Sequence, residues 1–512
     1  MASCTTVLFD ADLLRLICEE LRADVKANGI PRDASGKKIH PLLALSLLCP
    51  FTSDTALREL WRDIQGFNPF LYILPKHKID DLWHPAITIP DSTWHRLNDY
   101  AAHVRTFTCG PKSRERYATS FYIRLAEHLH GGENLFPALQ RLRMDPTFAI
   151  DPAAYLLLYP HPESARLSAV ELVLTPDDKA EVVSGAVGAK PFSGLHELCF
   201  VSAKKGIFDN VTTPFSSICS ASLLPRTLRV LKITTHTIDM DFFHSLSGLR
   251  ALDTLVIRFS AASTRIDHKE AIPGAFGALQ ALDLCANVSD AQQVIQCLPQ
   301  YVLQTFGLVL IAPSPADMKR IFGIHQDLQR RFALTSLSLS YPTFALEKDR
   351  QALAIFKPIL SMPSLRFMKY DVGTALPLTP TFLTEAEWPM LADLDISTSS
   401  YITYLVLPVL IDKCRELQRL KIPLDWPADA TLYGDPKFLG WSYHLKTLDM
   451  GASPVIHKAR VASYLDGIYP RLVELKGGED CADVKESVLA CQRARDQFLR
   501  REEEEWLTRL VS

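Results

Sequence analysis

The chain has 512 residues, with 55 Lys and Arg against 58 Asp and Glu, so its formal net charge is only −3. A near-neutral chain with no long basic cluster argues against a nucleic-acid partner. No apolar run approaches the roughly 20 residues that span a bilayer, which argues against a membrane partner.

The first 75 residues are predicted to form three short helices. Apolar residues at helical spacing follow Asp10, which can cap the first turn: they are Leu13, Leu14, Ile17 and Leu21. After a polar loop, Pro41 opens a second helix, PLLALSLLC, which is apolar almost all round. Pro50 interrupts it, and Thr52 or Ser53 can cap a third helix that ends near Trp61. These helices carry more apolar surface than they can bury among themselves.

Residues 76–130 are predicted to be a helical linker that joins these helices to the rest of the chain. The stretch from residue 63 to about residue 116 is rich in aromatic residues and Pro, including Trp83 and Trp94. Irregular helices with such side chains would hold the two parts at a fixed angle.

A phrase of the form Leu-x-x-Leu-x-Leu recurs through most of the remaining sequence. Clear copies begin at Phe136, Leu224, Phe276, Phe332, Met362, Trp388, Cys414, Tyr443 and Tyr469, and weaker ones at Leu167, Leu195, Leu249 and Leu303. From Leu365 to Leu391, Leu417, Leu445 and Leu472, the first leucines lie 26, 26, 28 and 27 residues apart. This is the period of leucine-rich repeats, in which each unit adds one short strand and a helical or irregular return. The predicted fold is therefore an α/β solenoid of about 12 or 13 repeats over residues 131–480, with a curved parallel sheet and outer helices.

Charged residues occupy the strand positions between the buried leucines, where side chains point to the concave surface. The candidate substrate-binding residues are Lys369, Asp393, Asp395, Arg419, Lys421, Lys446 and Asp449. Their sign alternates between neighbouring units, which could select a partner by charge. The alternative is a solvated face on which charges compensate each other across strands.

Residues 481–512 are predicted to form a C-terminal capping helix. The segment from Asp483 to Val511 lacks Pro and Gly, and apolar residues fall near one helical stripe: Val484, Val488, Cys491, Phe498, Trp506 and Leu510.

No motif predicts catalysis, a metal site or a cofactor. His77, His84, His95 and His103 match no zinc-binding spacing. Residues 185–190, GAVGAK, do not form a phosphate loop. They lack the four residues that separate the two glycines of that motif, and no Ser or Thr follows the lysine. The chain is therefore expected not to be an enzyme.

Three N-terminal segments resemble the F-box, in the divergent form found ahead of leucine-rich repeats in fungal proteins of the basidiomycete type. They are LLRLI from Leu13, LLALSLLC from Leu42 and ALRELW from Ala56, followed by NPFLYILP from Asn68. The resemblance implies the substrate-recognition subunit of an SCF-type, cullin-RING ubiquitin ligase, whose partners are a Skp-type adaptor, the cullin scaffold and a protein substrate.

Carried over residue by residue, the resemblance assigns seven residues to adaptor contact or to the packing that orients it: Leu13, Leu14, Ile17, Leu43, Leu47, Leu57 and Trp61. An over-apolar helical patch beside a repeat domain independently indicates a binding surface. The alternative is that the helices only cap the first repeat of a protein-interaction scaffold that has no link to ubiquitination. Eleven cysteines without C-x-x-C spacing indicate a reducing compartment, so the chain is expected in the cytoplasm, the nucleus or both.

Overall fold

The structure is a computed structural model of the chain, and it divides into two compact units, residues 1–237 and 238–512. The described residues are 10–31, 38–80, 82–109, 118–129, 134–144, 166–174, 194–202, 215, 222, 224–234, 237–259, 276–341, 349–372, 378–398, 401–428, 441–478 and 480–511. Within these ranges, no helix combines the length and the apolar character that crossing a bilayer requires.

The first unit begins with three helices that share a small core. They are α1 (Ala11–Asn28), α2 (Pro41–Ser46) and α3 (Pro50–Trp61). Leu14, Cys18, Leu42 and Ala56 are fully buried at their centre, with Leu21, Leu45 and Leu60 packed around them. One face of each helix therefore points inward.

The segment after α3 mixes strands with short helices. Its elements are β1 (Asp63–Gln65), α4 (Asn68–Ile73), β2 (Lys76–Ile79), β3 (Leu82–Pro85), α5 (Asp91–Ala101), β4 (Thr106–Cys109) and α6 (Thr119–His128). Strands β2 and β3 form an antiparallel hairpin. The sequence predicts a helical linker over residues 76–130, and in this range the structure has α5 and α6 together with this hairpin and β4.

Parallel strands of the first unit form one sheet. Its order is β1, β4, β5 (Arg141–Met144), β6 (Ala169–Leu174), β7 (Glu197–Ser202) and β8 (Val230–Ile233). The sheet thus starts at Asp63, about seventy residues before the predicted first repeat. Val104 and Phe107 are fully buried at β4, and Ile64 is buried at β1. Because these residues stand where later repeats have leucine, β1 and β4 do not show the Leu-x-x-Leu-x-Leu pattern.

The second unit repeats strand and return in the predicted way. Its helices are α7 (Met240–Leu246), α8 (Val288–Cys297), α9 (Met318–Arg331), α10 (Asp349–Leu360), α11 (Pro380–Leu383), α12 (Val406–Lys413), α13 (Lys458–Ile468) and α14 (Cys481–Val511). Its sheet strands are β9 (Thr254–Arg258), β10 (Ala281–Ala286), β11 (Thr305–Leu310), β12 (Ser336–Tyr341), β13 (Phe367–Val372), β14 (Asp393–Thr398), β16 (Arg419–Lys421), β18 (Thr447–Asp449) and β19 (Glu474–Lys476). Two further short strands, β15 (Ile402–Thr403) and β17 (Leu424–Asp425), pair with each other in a separate sheet.

Neighbouring strands of this unit are parallel and join by a constant hydrogen-bond pattern. The carbonyl just before one strand accepts two N–H groups at the start of the next: Gln304 accepts from Thr335 and Ser336, at 2.8 and 3.1 Å. Along a strand such as β12, every second side chain is buried, as expected when one face of the strand covers the core. All thirteen leucine phrases coincide with strands β5 to β14, β16, β18 and β19. The α/β fold of stacked parallel strands agrees with the leucine-rich-repeat pattern.

Candidate docking surfaces

Helix α1 presents buried and exposed leucines on different faces. The Asp10 carboxylate accepts the N–H groups of Asp12 and Leu13, at 3.0 and 3.1 Å, and so fixes the start of the helix. Leu14 is fully buried, whereas Leu13 and Leu16 are 42% and 51% exposed. Ile17, one turn on from Leu13, is also exposed.

The turn between α2 and α3 projects the most exposed leucines of this region. The buried Thr52 hydroxyl donates to the Leu45 carbonyl at 2.9 Å and closes the turn. Leu47 and Leu48 lie in the turn, with 79% and 69% of their surface exposed. The sequence predicts Thr52 or Ser53 as the cap of α3, but the helix starts at Pro50 with Cys49 as its N-cap residue. Thr52 instead holds the turn together.

Seven exposed side chains on the three packed helices define what we call the N-terminal apolar surface. They are Leu13, Leu16, Ile17, Leu43, Leu47, Leu48 and Phe51. Exposed apolar side chains that lie together on a protein surface often mark an interaction site. The arrangement can bind another polypeptide, because each leucine that a partner covers contributes roughly 1.5–3 kcal/mol.

The structure separates the seven sequence-predicted adaptor residues into three groups. Leu13, Ile17, Leu43 and Leu47 belong to the N-terminal apolar surface, and Leu14 lies in the helical core. Leu57 and Trp61 are half-buried. The Trp61 ring stacks on Tyr100 with centroids 4.6 Å apart and packs against Phe70 at 5.1 Å, so it holds α3 against α4 and α5.

Leu16, Leu48 and Phe51 were not among the predicted contact residues. Leu16 and Leu48 lie within the apolar runs from which the helices are predicted. The spacing of apolar residues in these runs does not indicate which of them are exposed. Phe51 follows the proline that starts α3. The near-continuous apolar character of PLLALSLLC was the available signal for this region.

A charge network holds α1 against α3 and β1. Arg22 lies 3.3 Å from Glu59 and 3.2 Å from Asp63, and Lys26 also pairs with Asp63. Burial opposes ionisation of Asp63, but hydrogen bonds from Lys26 and Thr106 and the charges of Lys26 and Arg22 outweigh it, so the pKa of this carboxyl is lowered. The network fixes the orientation of the helices that carry the N-terminal apolar surface.

The second surface is the charged strand face of the second unit. One register row runs through Lys369, Asp395, Lys421, Asp449 and Lys476, so the sign of the charge alternates on five adjacent strands. We call these five residues the charge row. Lys421 lies 3.3 Å from Asp395.

A neighbouring row pairs Arg419 with Asp393, at 2.5 Å. Burial raises the pKa of Asp393, and the charge and hydrogen bond of Arg419 oppose this rise. The charge row and this pair account for every predicted substrate-binding residue except Lys446, which is exposed just before β18. Arg419 and Lys421 therefore each have an acidic neighbour on β14.

The described residues hold no group of three or more His, Cys, Asp or Glu side chains arranged to bind a metal ion. The cysteines whose side chains are described are free thiols: Cys18, Cys49, Cys199, Cys285, Cys297, Cys414, Cys481 and Cys491. Burial raises the pKa of Cys18 and Cys285 to about 11 each, so these thiols stay protonated near neutral pH and are poor nucleophiles.

Comparison with protein-family models and with curated proteins gave no match. Among solved structures, the chain is similar to an internalin, inlF, from Listeria monocytogenes, at 12% identity over 65% of this chain and 81% of that chain, with a TM-score of 0.35. It is also similar to TLR13 in complex with ssRNA13, at 13% identity over 76% of this chain and 57% of that chain, with a TM-score of 0.34. Both similarities are low and bear on neither surface.

Proposed function

We propose that this chain is the substrate-recognition subunit of an SCF-type ubiquitin ligase. In this proposal helices α1 to α3 act as an F-box that docks a Skp-type adaptor, which in turn joins the cullin scaffold. The repeats bind the protein to be ubiquitinated. The chain itself carries no catalytic role in this proposal.

The observation that carries the proposal is the N-terminal apolar surface. Leu47 and Leu48 are the extreme case, because they stand in a turn with most of their surface in water. The helices beneath have their own buried core and are held by the Arg22, Glu59 and Asp63 network. A rigid support with exposed leucines is what a docking site requires, since less conformational freedom is lost on binding.

The charged strand face is the proposed substrate surface. It comprises the charge row together with Asp393, Arg419 and Lys446. Its internal ion pairs are partly exposed and therefore weak, so a partner with complementary charges can replace them. Such a surface contributes mainly to the rate of association and to the exclusion of wrong partners.

Substitution of Leu47 by Asp tests adaptor docking. We expect Leu47→Asp to abolish co-purification of a Skp-type adaptor with the full chain. Loss of one leucine contact weakens binding roughly tenfold to a hundredfold, and a carboxylate placed in the interface adds a desolvation cost.

Leu405→Asp is the matched control for this experiment. Leu405 is 48% exposed and lies at the N-terminal end of α12, where a negative charge is favourable. The control should retain the adaptor, and both variants should keep the circular dichroism of the parent. Normal adaptor binding by a folded Leu47→Asp variant would contradict the proposal.

The second candidate is a leucine-rich-repeat scaffold with no link to ubiquitination. It is favoured by the contact between α1 and β1, because Arg22 and Lys26 hold Asp63 at the first strand of the sheet, as helices that cap a repeat stack would do. A pull-down in which the full chain captures its protein partner but neither Skp-type adaptor nor cullin would favour this candidate.

We also propose the cytoplasm or the nucleus as the site of action. The eight free thiols support a reducing compartment.

A further inference from the structure

A cavity of about 620 Å³ in the first unit is lined by an unusual number of arginines. Arg15 comes from α1, Arg58 and Arg62 come from α3 and its end, and Arg105 and Arg166 precede strands β4 and β6. The same wall holds two carboxylates, Asp12 and Glu59. Five arginines and two acidic residues therefore line this cavity.

The backbone of the sheet brings two of these arginines side by side. The Arg62 carbonyl accepts the N–H groups of Arg105 and Thr106, both at 2.9 Å. Arg62 and Arg105 thus occupy equivalent positions on adjacent turns, which lie roughly 4.8 Å apart. Arginines far apart in sequence meet because the fold stacks them.

Among the described residues, only two of the five arginines in the cavity wall form an ion pair. Glu59 is already shared between Arg22 and Arg62, at 3.3 and 3.1 Å, and Arg58 pairs with Asp54 outside the cavity wall, at 2.8 Å. In the part of the chain that the structure describes, Arg15, Arg105 and Arg166 form no ion pair. Guanidinium groups stay charged at every physiological pH.

His103 also lies in the cavity wall, and burial is the main reason that its pKa is lowered. After burial, the charge of Arg58 lowers this pKa further, and the charge of Arg105 acts in the same direction. The charges of Asp54 and Asp99 act against both. With five arginines against Asp12 and Glu59, the described wall of the cavity carries a net positive charge.

We infer that this cavity binds a small soluble anion that carries several phosphate groups. The planar fork of arginine matches phosphate oxygens with paired hydrogen bonds. The volume is that of a small-molecule site, and three unpaired arginines exceed what a single phosphate needs. The inference is drawn from these arginines and does not rest on adaptor docking.

The test is calorimetric titration of the full chain with inorganic tripolyphosphate at low ionic strength. We expect binding at one site, tighter than for orthophosphate and weaker as salt is added. Arg105→Gln and Arg166→Gln should each weaken it roughly tenfold or more, because each removes charge-assisted hydrogen bonds.

Arg229→Gln is the matched control. Arg229 is exposed and occupies the same position before β8 as Arg105 does before β4, since its N–H donates to the His196 carbonyl at 2.8 Å. It lies outside the cavity wall, so its replacement should leave affinity unchanged.

Thermal unfolding separates loss of binding from loss of folding. Without ligand, all variants should melt as the parent does, and tripolyphosphate should raise the melting temperature of the parent and of Arg229→Gln more than that of the cavity variants. Equal affinity in the parent and both cavity variants would overturn the inference. So would binding confined to phosphatidylcholine vesicles that contain phosphatidylinositol bisphosphate, because the anion would then be a lipid headgroup.

Discussion

At the level of single residues, the structure distinguishes side chains that the sequence could not. Leu13 and Leu14 are adjacent and both fit an apolar helix, yet one is exposed and the other is fully buried. The direction of the helix is set by Asp10 at its start and by Arg22 near its end, and neither constraint is visible in apolar spacing. Trp61 likewise packs on Tyr100, a residue 39 positions further along the chain.

His325 is a buried histidine that should make the stability of the second unit depend on pH. Its Nδ1–H donates to the Ile355 carbonyl at 2.7 Å, so Nε2 accepts from the Tyr341 hydroxyl at 2.6 Å and the ring is neutral. Burial lowers the pKa of His325 to about 4 from its ordinary 6.5. The unfolded chain therefore takes up a proton below about pH 6.5 that the folded chain does not, and stability falls as the pH drops from there towards 4.

Chemical unfolding at pH 6.5 and pH 5 measures this effect. We expect the free energy of unfolding of the parent to fall by about 2 kcal/mol more than that of His325→Phe over this interval. The variant lacks the titrating ring, so the difference between the two proteins isolates it from other groups. Identical pH dependence in both proteins would contradict the prediction.

The ion pair of Asp395 and Lys421 belongs to the charge row, and we expect it to contribute little to stability. Both side chains retain solvent contact, and exposed pairs are typically worth about 0.2–1 kcal/mol. A double-mutant cycle with Asp395→Asn and Lys421→Gln should give a coupling energy in that range. A coupling above about 2 kcal/mol would mean that the pair is needed for folding, which would weaken the case for these residues as a docking surface.

At the level of elements, helix α14 has two distinct halves. Val484 and Val488 are buried, and Arg495 donates to Asp466 and to the Pro470 carbonyl, at 2.7 and 2.8 Å. Phe498, Leu499 and Trp506 are largely exposed. Among the described side chains of the predicted stripe, Val484 and Val488 are therefore buried, whereas Phe498 and Trp506 are exposed; the side chain of Leu510 lies outside the described part.

Replacing buried and exposed valines tests this division. Val484→Ala should lower the free energy of unfolding by about 1.5 kcal/mol, because two buried methyl-sized groups are lost at about 0.8 kcal/mol each. Val473→Ala, at a position 68% exposed, removes the same atoms and should change stability by less than about 0.5 kcal/mol. Denaturant titration gives both values, and equal effects would show that α14 does not cap the last repeat.

Strands β1 and β4 show why the start of the sheet was not predicted. In most later repeats two or three leucines mark the strand, whereas β4 uses Val104 and Phe107 in those places, and β1 has Ile64. Burial requires an apolar side chain of suitable size, not leucine in particular. A search for leucine spacing therefore finds the regular repeats and misses the first two.

At the level of the whole molecule, the fold class followed from periodicity, but the arginine cavity did not. A period near 27 residues determines that strands stack in parallel, whatever the side chains on their outer face. Arg15, Arg58, Arg62, Arg105 and Arg166 have no common spacing in the sequence. They converge because three helices pack beside the first strands, and that packing depends on the Arg22, Glu59 and Asp63 network.

The constant junction between repeats bears on how such a chain can change its length in evolution. From Asp253 to Lys446, one carbonyl in each repeat of the second unit receives two N–H groups from the next. Duplication of one repeat's worth of coding sequence would add a strand whose hydrogen bonds already fit on both sides. A tandem copy is thus absorbed without redesign of its neighbours, whereas an insertion inside a strand would shift the side chains beyond it to the wrong face.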